Sequence, residues 1–143
     1  MDKRTMNHRH KKLWLDVYDW YETTDVADWH SLASVKYLFM QDDVLAQCYF
    51  CEYYRNSKRA GTKRGTGCSE CPAAYLGNGN GLSGCYFYWQ LDNKINRIRG
   101  LVHQLDMLGG EYPMNAIEWR QQITELRQEI LDGIIMMASV RIK

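Results

Sequence analysis

A chain of 143 residues is long enough for one domain with a real core, and an apolar fraction of 45% with 13% aromatics supplies the side chains to fill it. The formal net charge of +1 provides no global field for capturing polyanions, so any basic surface has to be local. The charged start Met1–Lys12 has no apolar run behind it, which argues against a secretory signal, and no stretch approaches the roughly 20 apolar residues that cross a bilayer. A soluble, intracellular, non-membrane protein is expected.

Residues 1–12 are polar and basic and read as a partly ordered arm. Residues 13–40 read as helical. Leu13, Val17 and Trp20/Tyr21 fall at helical spacing, Thr23-Thr24-Asp25 supplies a break and an N-cap, and a second helix is predicted over about 26–40 with Trp29, Ala33, Tyr37 and Met40 near one face.

Residues 41–85 change character. They hold all five cysteines and seven of the eleven glycines, the composition of a segment organised by turns with little regular structure. Residues 86–143 are the most regular. Tyr88, Leu91, Ile95, Ile98, Val102 and Leu105 step by three and four, predicting an amphipathic helix over roughly 86–108. Gly109-Gly110 stops it and Pro113 bars its continuation. Asn115 with Glu118 forms a variant capping box for a last helix, with Trp119, Ile123, Leu126, Ile130, Ile134 and Met137 on its seam. So short a connection predicts an antiparallel hairpin, seam to seam. The fold expected is one mainly α domain: N-terminal helices, a zinc-knuckle segment, and a C-terminal helical hairpin.

The chemistry sits in the cysteines. Cys48-x2-Cys51 and Cys68-x2-Cys71 are two pairs separated by sixteen residues. Each Cys-x2-Cys can bend so that its sulfurs converge, and two such turns make the tetrahedral thiolate set that Zn²⁺ accepts, with Zn–S of about 2.3 Å. Buried cysteine acting as a small hydrophobe accounts for one or two residues but not two spaced pairs. A redox Cys-x2-Cys lacks the surrounding strand–helix pattern. Four cysteines suit an iron–sulfur cluster as well, which stays open as the alternative to zinc. Cys85 is the reserve ligand, able to replace Cys68 or Cys71 or to lie buried at the start of the following helix. Four thiolates leave no position for water, so the zinc expected is structural.

Between the pairs, Arg55, Lys58, Arg59, Lys63 and Arg64 follow one another without an acid, a candidate phosphate-binding loop whose plain alternative is a solvated charge run. Arg4, Arg9, Lys11 and Lys12 extend that patch only if the arm folds alongside. His8 and His10 are possible substitute ligands but remote in this reading. His30 falls within the second predicted helix and His103 beside the seam. No Ser/His/Asp order, H-E-x-x-H or phosphate loop is present, so no catalytic residue is assigned and a non-enzyme is expected. The apolar tail around Met136-Met137 is expected to dock against the tryptophan-rich N-terminal helices.

The run Asn7-His8-x-His10-Lys-Lys-Leu13-Trp14, the turns Cys48-Tyr-Phe-Cys51-Glu-Tyr53 and Cys68-x2-Cys71-Pro72, then Cys85 and Tyr88-Trp89, resemble those of small bacteriophage- and prophage-encoded zinc-binding proteins. The resemblance covers residues 7–90 at most. It implies an accessory protein of the bacterial host cytoplasm that contacts and modulates a host macromolecule, for example a transcription or defence protein. Two other readings stand beside it: a nucleic-acid-binding zinc module using the 55–64 loop, and a structural subunit that assembles through its helical seam. A monomer is favoured over a dimer because the 109–113 turn is short enough to fold the last two helices on each other.

Overall fold

The computed structural model describes residues 2–40, 49–50, 53, 71–76, 86–107 and 115–143. Helix α1 spans Lys3–Thr23. The side chain of Asp2 accepts from Thr5 N at 2.8 Å, satisfying one of the helix's orphan donors. The buried residues Met6, His10, Leu13, Trp14, Val17 and Tyr21 form one stripe, so the Leu13–Val17–Tyr21 face begins two turns earlier than its hydrophobic members indicate. The expected basic arm 1–12 is thus corrected: from Lys3 it is the first half of this helix.

Thr24 N–H closes the helix on Trp20 O, and the chain enters a 3-10 turn at Val26–Asp28, where Asp25 accepts from Ala27 N at 3.0 Å. The Trp29 indole donates to Thr24 O and the Tyr21 hydroxyl to His30 O, each at 2.9 Å. These bonds hold residues 24–30 out of α-helical conformation. Helix α2 therefore covers Leu32–Phe39 only, capped by the Ser31 hydroxyl. Its inner face is Leu32, Val35 and Lys36 rather than the expected Ala33 and Tyr37, and Tyr37 is 56% exposed.

Helix α3 spans Tyr86–Met107 and helix α4 spans Asn115–Ser139. On α3 the buried residues Phe87, Leu91, Ile95 and Ile98 coincide with the predicted seam, Phe87 aside. Ile123, Leu126, Ile130, Ile134 and Met137 are buried on α4. Arg97 donates to Gln122 Oε1, Lys94 faces Glu129, and Gly133 lies against Phe87 and Leu91. Rising numbers on one helix meet falling numbers on the other, so α3 and α4 run in opposite directions; their connection, 108–114, lies outside the described residues.

Helix α1 is antiparallel to α4 for the same reason: Asn7 meets Ile142, His10 meets Met137, and Arg127 Nη2 donates to Glu22 O. The neighbours close a ring, α1 on α4, α4 on α3, α3 on α2 and α2 on α1, with the 3-10 turn also on α3. The fold among the described residues is four α-helices without a strand. Trp14, Val17, Tyr21, Leu32, Val35, Leu91, Ile95, Ile98, Ile130 and Ile134 are all nearly inaccessible inside the ring. No described helix is long and apolar enough to cross a membrane.

The tail docks as expected, with Met137, Ala138 and Ile142 buried, while Met136 is 46% exposed. Asn7 Nδ2 donates to Ile142 O at 2.8 Å and Ile142 N donates to Asn7 Oδ1 at 2.7 Å, so one amide side chain pairs both backbone groups of a residue at the far end of the chain. Hydrophobic patterning carries no trace of that pairing.

Candidate functional site

Of the cysteines singled out for zinc, Cys71 is the one inside the described residues; Cys48, Cys51, Cys68 and Cys85 lie outside them, as do Arg55, Lys58, Arg59, Lys63 and Arg64. Cys71 is buried and precedes the 3-10 turn Pro72–Tyr75. Pro72 occupies its first position, where a fixed φ and a missing N–H cost nothing. The turn packs on α3 and Ala73 is buried, so the second Cys-x2-Cys leads directly into a segment anchored on the helical frame.

Tyr49 and Phe50, the two residues between Cys48 and Cys51, are helical and buried. Phe50 stacks on His10, with ring centroids 3.8 Å apart and planes 11° from parallel. His10 is 2% exposed, and its Nε2 donates to Met137 O at 2.7 Å, near the C-terminal end of α4, where backbone carbonyls lack helical partners. Because a carbonyl only accepts, this bond places a hydrogen on Nε2. His10 is therefore not part of a mobile arm: it joins α1, the end of α4 and Phe50.

The other histidines are placed differently. His8 and His103 are exposed. His30 precedes α2 instead of lying within it, exposed, with its ring 5.6 Å from that of Trp20. Among the described residues no three of His, Cys, Asp and Glu come together as a metal site.

A second constellation lies where α2 meets α3. Lys36 is 4% exposed, with its ammonium 5.1 Å from the Tyr37 ring centroid and 4.8 Å from that of Tyr88. Both rings offer their negative faces to the cation. Tyr88 in turn meets Trp14 edge-on at 6.1 Å. Around this buried lysine, large apolar side chains face solvent: Leu38 is 65% exposed and Trp89 is 68% exposed, with Tyr37, Phe39 and Tyr86 also exposed. The lysine was missed from the sequence because a cation at a helix position reads as a surface residue. Its one signal was its i+1 and i+4 relation to Tyr37 and Leu32 on a short apolar helix.

The Tyr21 hydroxyl belongs to the frame. Burial, reinforced by the neighbouring Tyr88 and Asp92, pushes its ionisation well above the ordinary tyrosine range, so at neutral pH it is a phenol donating to His30 O.

Comparison of the chain with protein-family models, curated proteins and solved structures finds no match.

Proposed function

We propose that this chain is a zinc-stabilised, phage-type accessory protein that acts by stoichiometric contact with a protein of the bacterial host rather than by catalysis. The observation that carries the reading is the aromatic surface at the α2–α3 junction. Tyr37 and Leu38 on α2 and Tyr86 and Trp89 on α3 are exposed, and Lys36 links the two helices through its contact with the Tyr88 ring. Exposed Trp and Tyr on rigid helices are the side chains that anchor protein interfaces, since they bury much area at low entropic cost. The phage association rests on the two Cys-x2-Cys turns and the host cytoplasm follows from it.

In this proposal Cys48, Cys51, Cys68 and Cys71 bind Zn²⁺, with Cys85 in reserve. Support comes from their spacing and from the burial of Tyr49 and Phe50 within one pair and of Cys71 and Ala73 at the end of the other. A closed site of this type contributes folding energy and leaves chemistry to no residue.

The test is affinity capture from bacterial lysate with the full chain. One host protein in stoichiometric amount is expected with wild type and lost with Leu38→Ala/Trp89→Ala, whose exposed positions leave thermal stability nearly unchanged. Capture that the double variant leaves intact contradicts the proposed surface; a salt-sensitive nucleic acid as the captured species points to the 55–64 loop reading instead.

A further inference from the structure

Helix formation through residues 3–12 turns a sequence of scattered charges into a ridge. Arg4, His8 and Lys11 step by four and three residues, which stacks them on the side of α1 away from Met6, His10 and Leu13, and all three are exposed. Lys3 and Lys12 flank them, Lys12 paired with Asp16 at 2.7 Å.

The C-terminal segment adds to the ridge. Asn7 sits one helical turn from Lys3 on one side and from Lys11 on the other, and it holds Ile142 through both backbone groups. Ile142 is buried, and its chain neighbours Arg141 and Lys143 are exposed. Five cations from the two ends of the sequence, Lys3, Arg4, Lys11, Arg141 and Lys143, thus gather at one end of the molecule, and none is in an ion pair among the described residues. Two acids lie on this stretch of chain, the helix-capping Asp2 and Asp16, which holds Lys12.

We infer that this surface binds the phosphodiester backbone of a nucleic acid. Residues 3–11 of a helix span roughly 12 Å, which matches about four phosphates at 3.4 Å of rise along one strand. A membrane surface is the poorer match, because the apolar stripe of α1 is spent on the core and Leu15, 38% exposed, is its one exposed large apolar side chain. The site uses neither the 55–64 loop nor the aromatic face of α2 and α3, so it stands apart from the function proposed above.

The experiment measures binding of the full chain to a labelled duplex DNA of about twenty base pairs and to single-stranded RNA of the same length, across a salt series. The expected result is binding at about 50 mM salt that weakens with a log–log slope near −3 to −4 for DNA. Arg4→Glu/Lys11→Glu and, separately, Arg141→Glu/Lys143→Glu should each weaken binding about tenfold or more and flatten the slope by about two, with unchanged helicity. Neutralising Arg55, Lys58, Arg59, Lys63 and Arg64 to Ala should leave the effect of the α1 variant in place. The tighter of the two probes identifies the nucleic acid. The inference is overturned if neither probe binds at low salt, if the loop variant abolishes binding while the α1 variant does not weaken it, or if vesicles of anionic lipid bind and both nucleic acids do not.

Discussion

Helix α4 is held on two sides by different chemistry. Against α3 the contact is apolar: Leu91, Ile95 and Ile98 meet Ile123, Ile130 and Ile134, with the partly exposed Lys94–Glu129 pair at the margin. Against α1 the apolar contact is crossed by directed bonds, from Asn7 to Ile142, His10 to Met137 and Arg127 to Glu22. The first kind of interface announces itself in sequence as a period. The second depends on single side chains whose partners lie more than a hundred residues away, and no local pattern encodes them. The difference predicts how each should fail: the α3 side through cavities, the α1 side through orphaned polar groups.

The largest effects should come from cavities on the α3 side. Ile98→Ala and Ile130→Ala remove side chains with no accessible surface and should each cost about 2–5 kcal/mol in urea unfolding. If either loss stays near zero, the seam is closed by something other than packing.

On the α1 side, Asn7→Ala should cost about 1–3 kcal/mol, since it strands the N–H and C=O of Ile142. Its signature is local: faster amide exchange at residue 142 before any change in α3. His10→Ala should cost a similar ~1–3 kcal/mol, by freeing Met137 O and removing the face on which Phe50 stacks. Uniform loss of protection across the molecule would show that the two interfaces are one cooperative unit.

Gly133→Ala sharpens the contrast from the other direction. A Cβ there would come within 2.5 Å of Leu91 Cδ2 and 3.4 Å of Phe87 Cζ, so the buried Leu91 side chain must move to admit it. Overpacking of about 1–3 kcal/mol should exceed the ~1 kcal/mol gained by replacing glycine in a helix, giving a net loss by thermal melting.

Tyr21 gives a pH effect under alkaline conditions. With its folded ionisation raised above the unfolded value, Tyr21 contributes stability that is full below pH of about 10 and is lost as pH rises beyond it. Tyr21→Phe should therefore be less stable than wild type at neutral pH, through loss of the bond to His30, and the gap should narrow above pH of about 10.

The smallest effects separate two arginines on the long helices. Arg99 is exposed and Arg99→Ala should be silent, within ±0.5 kcal/mol. Arg127→Ala should cost about 0.5–1 kcal/mol, because Arg127 donates to Glu22 O near the end of α1.

What the sequence disclosed follows the same division. The seams of α3 and α4 were legible because Leu91, Ile95, Ile98, Ile130 and Ile134 repeat without interruption. The start of α1 was not, because its inward residues before Leu13 are Met6 and His10, set among lysines and arginines that read as a solvated arm. Helix α2 was drawn too long because the bonds that end the preceding turn run from Trp29 and Tyr21 to backbone carbonyls, contacts without periodicity. In the candidate metal centre the cysteine spacing was legible, while the burial of the residues inside and beside the pairs emerged from packing. Lys36 was invisible because a buried cation set against aromatic rings leaves no mark in a hydrophobic pattern.

The claim on which the rest depends is that the cysteine segment is organised by zinc on this helical frame. Native mass spectrometry of the full chain at micromolar concentration tests it in one spectrum. The account predicts a single chain carrying about one Zn²⁺ with four thiol protons displaced, and loss of the folded charge-state distribution on strong chelation. A metal-free monomer with an unchanged folded distribution, or a chain whose bound mass is an iron–sulfur cluster, would contradict it.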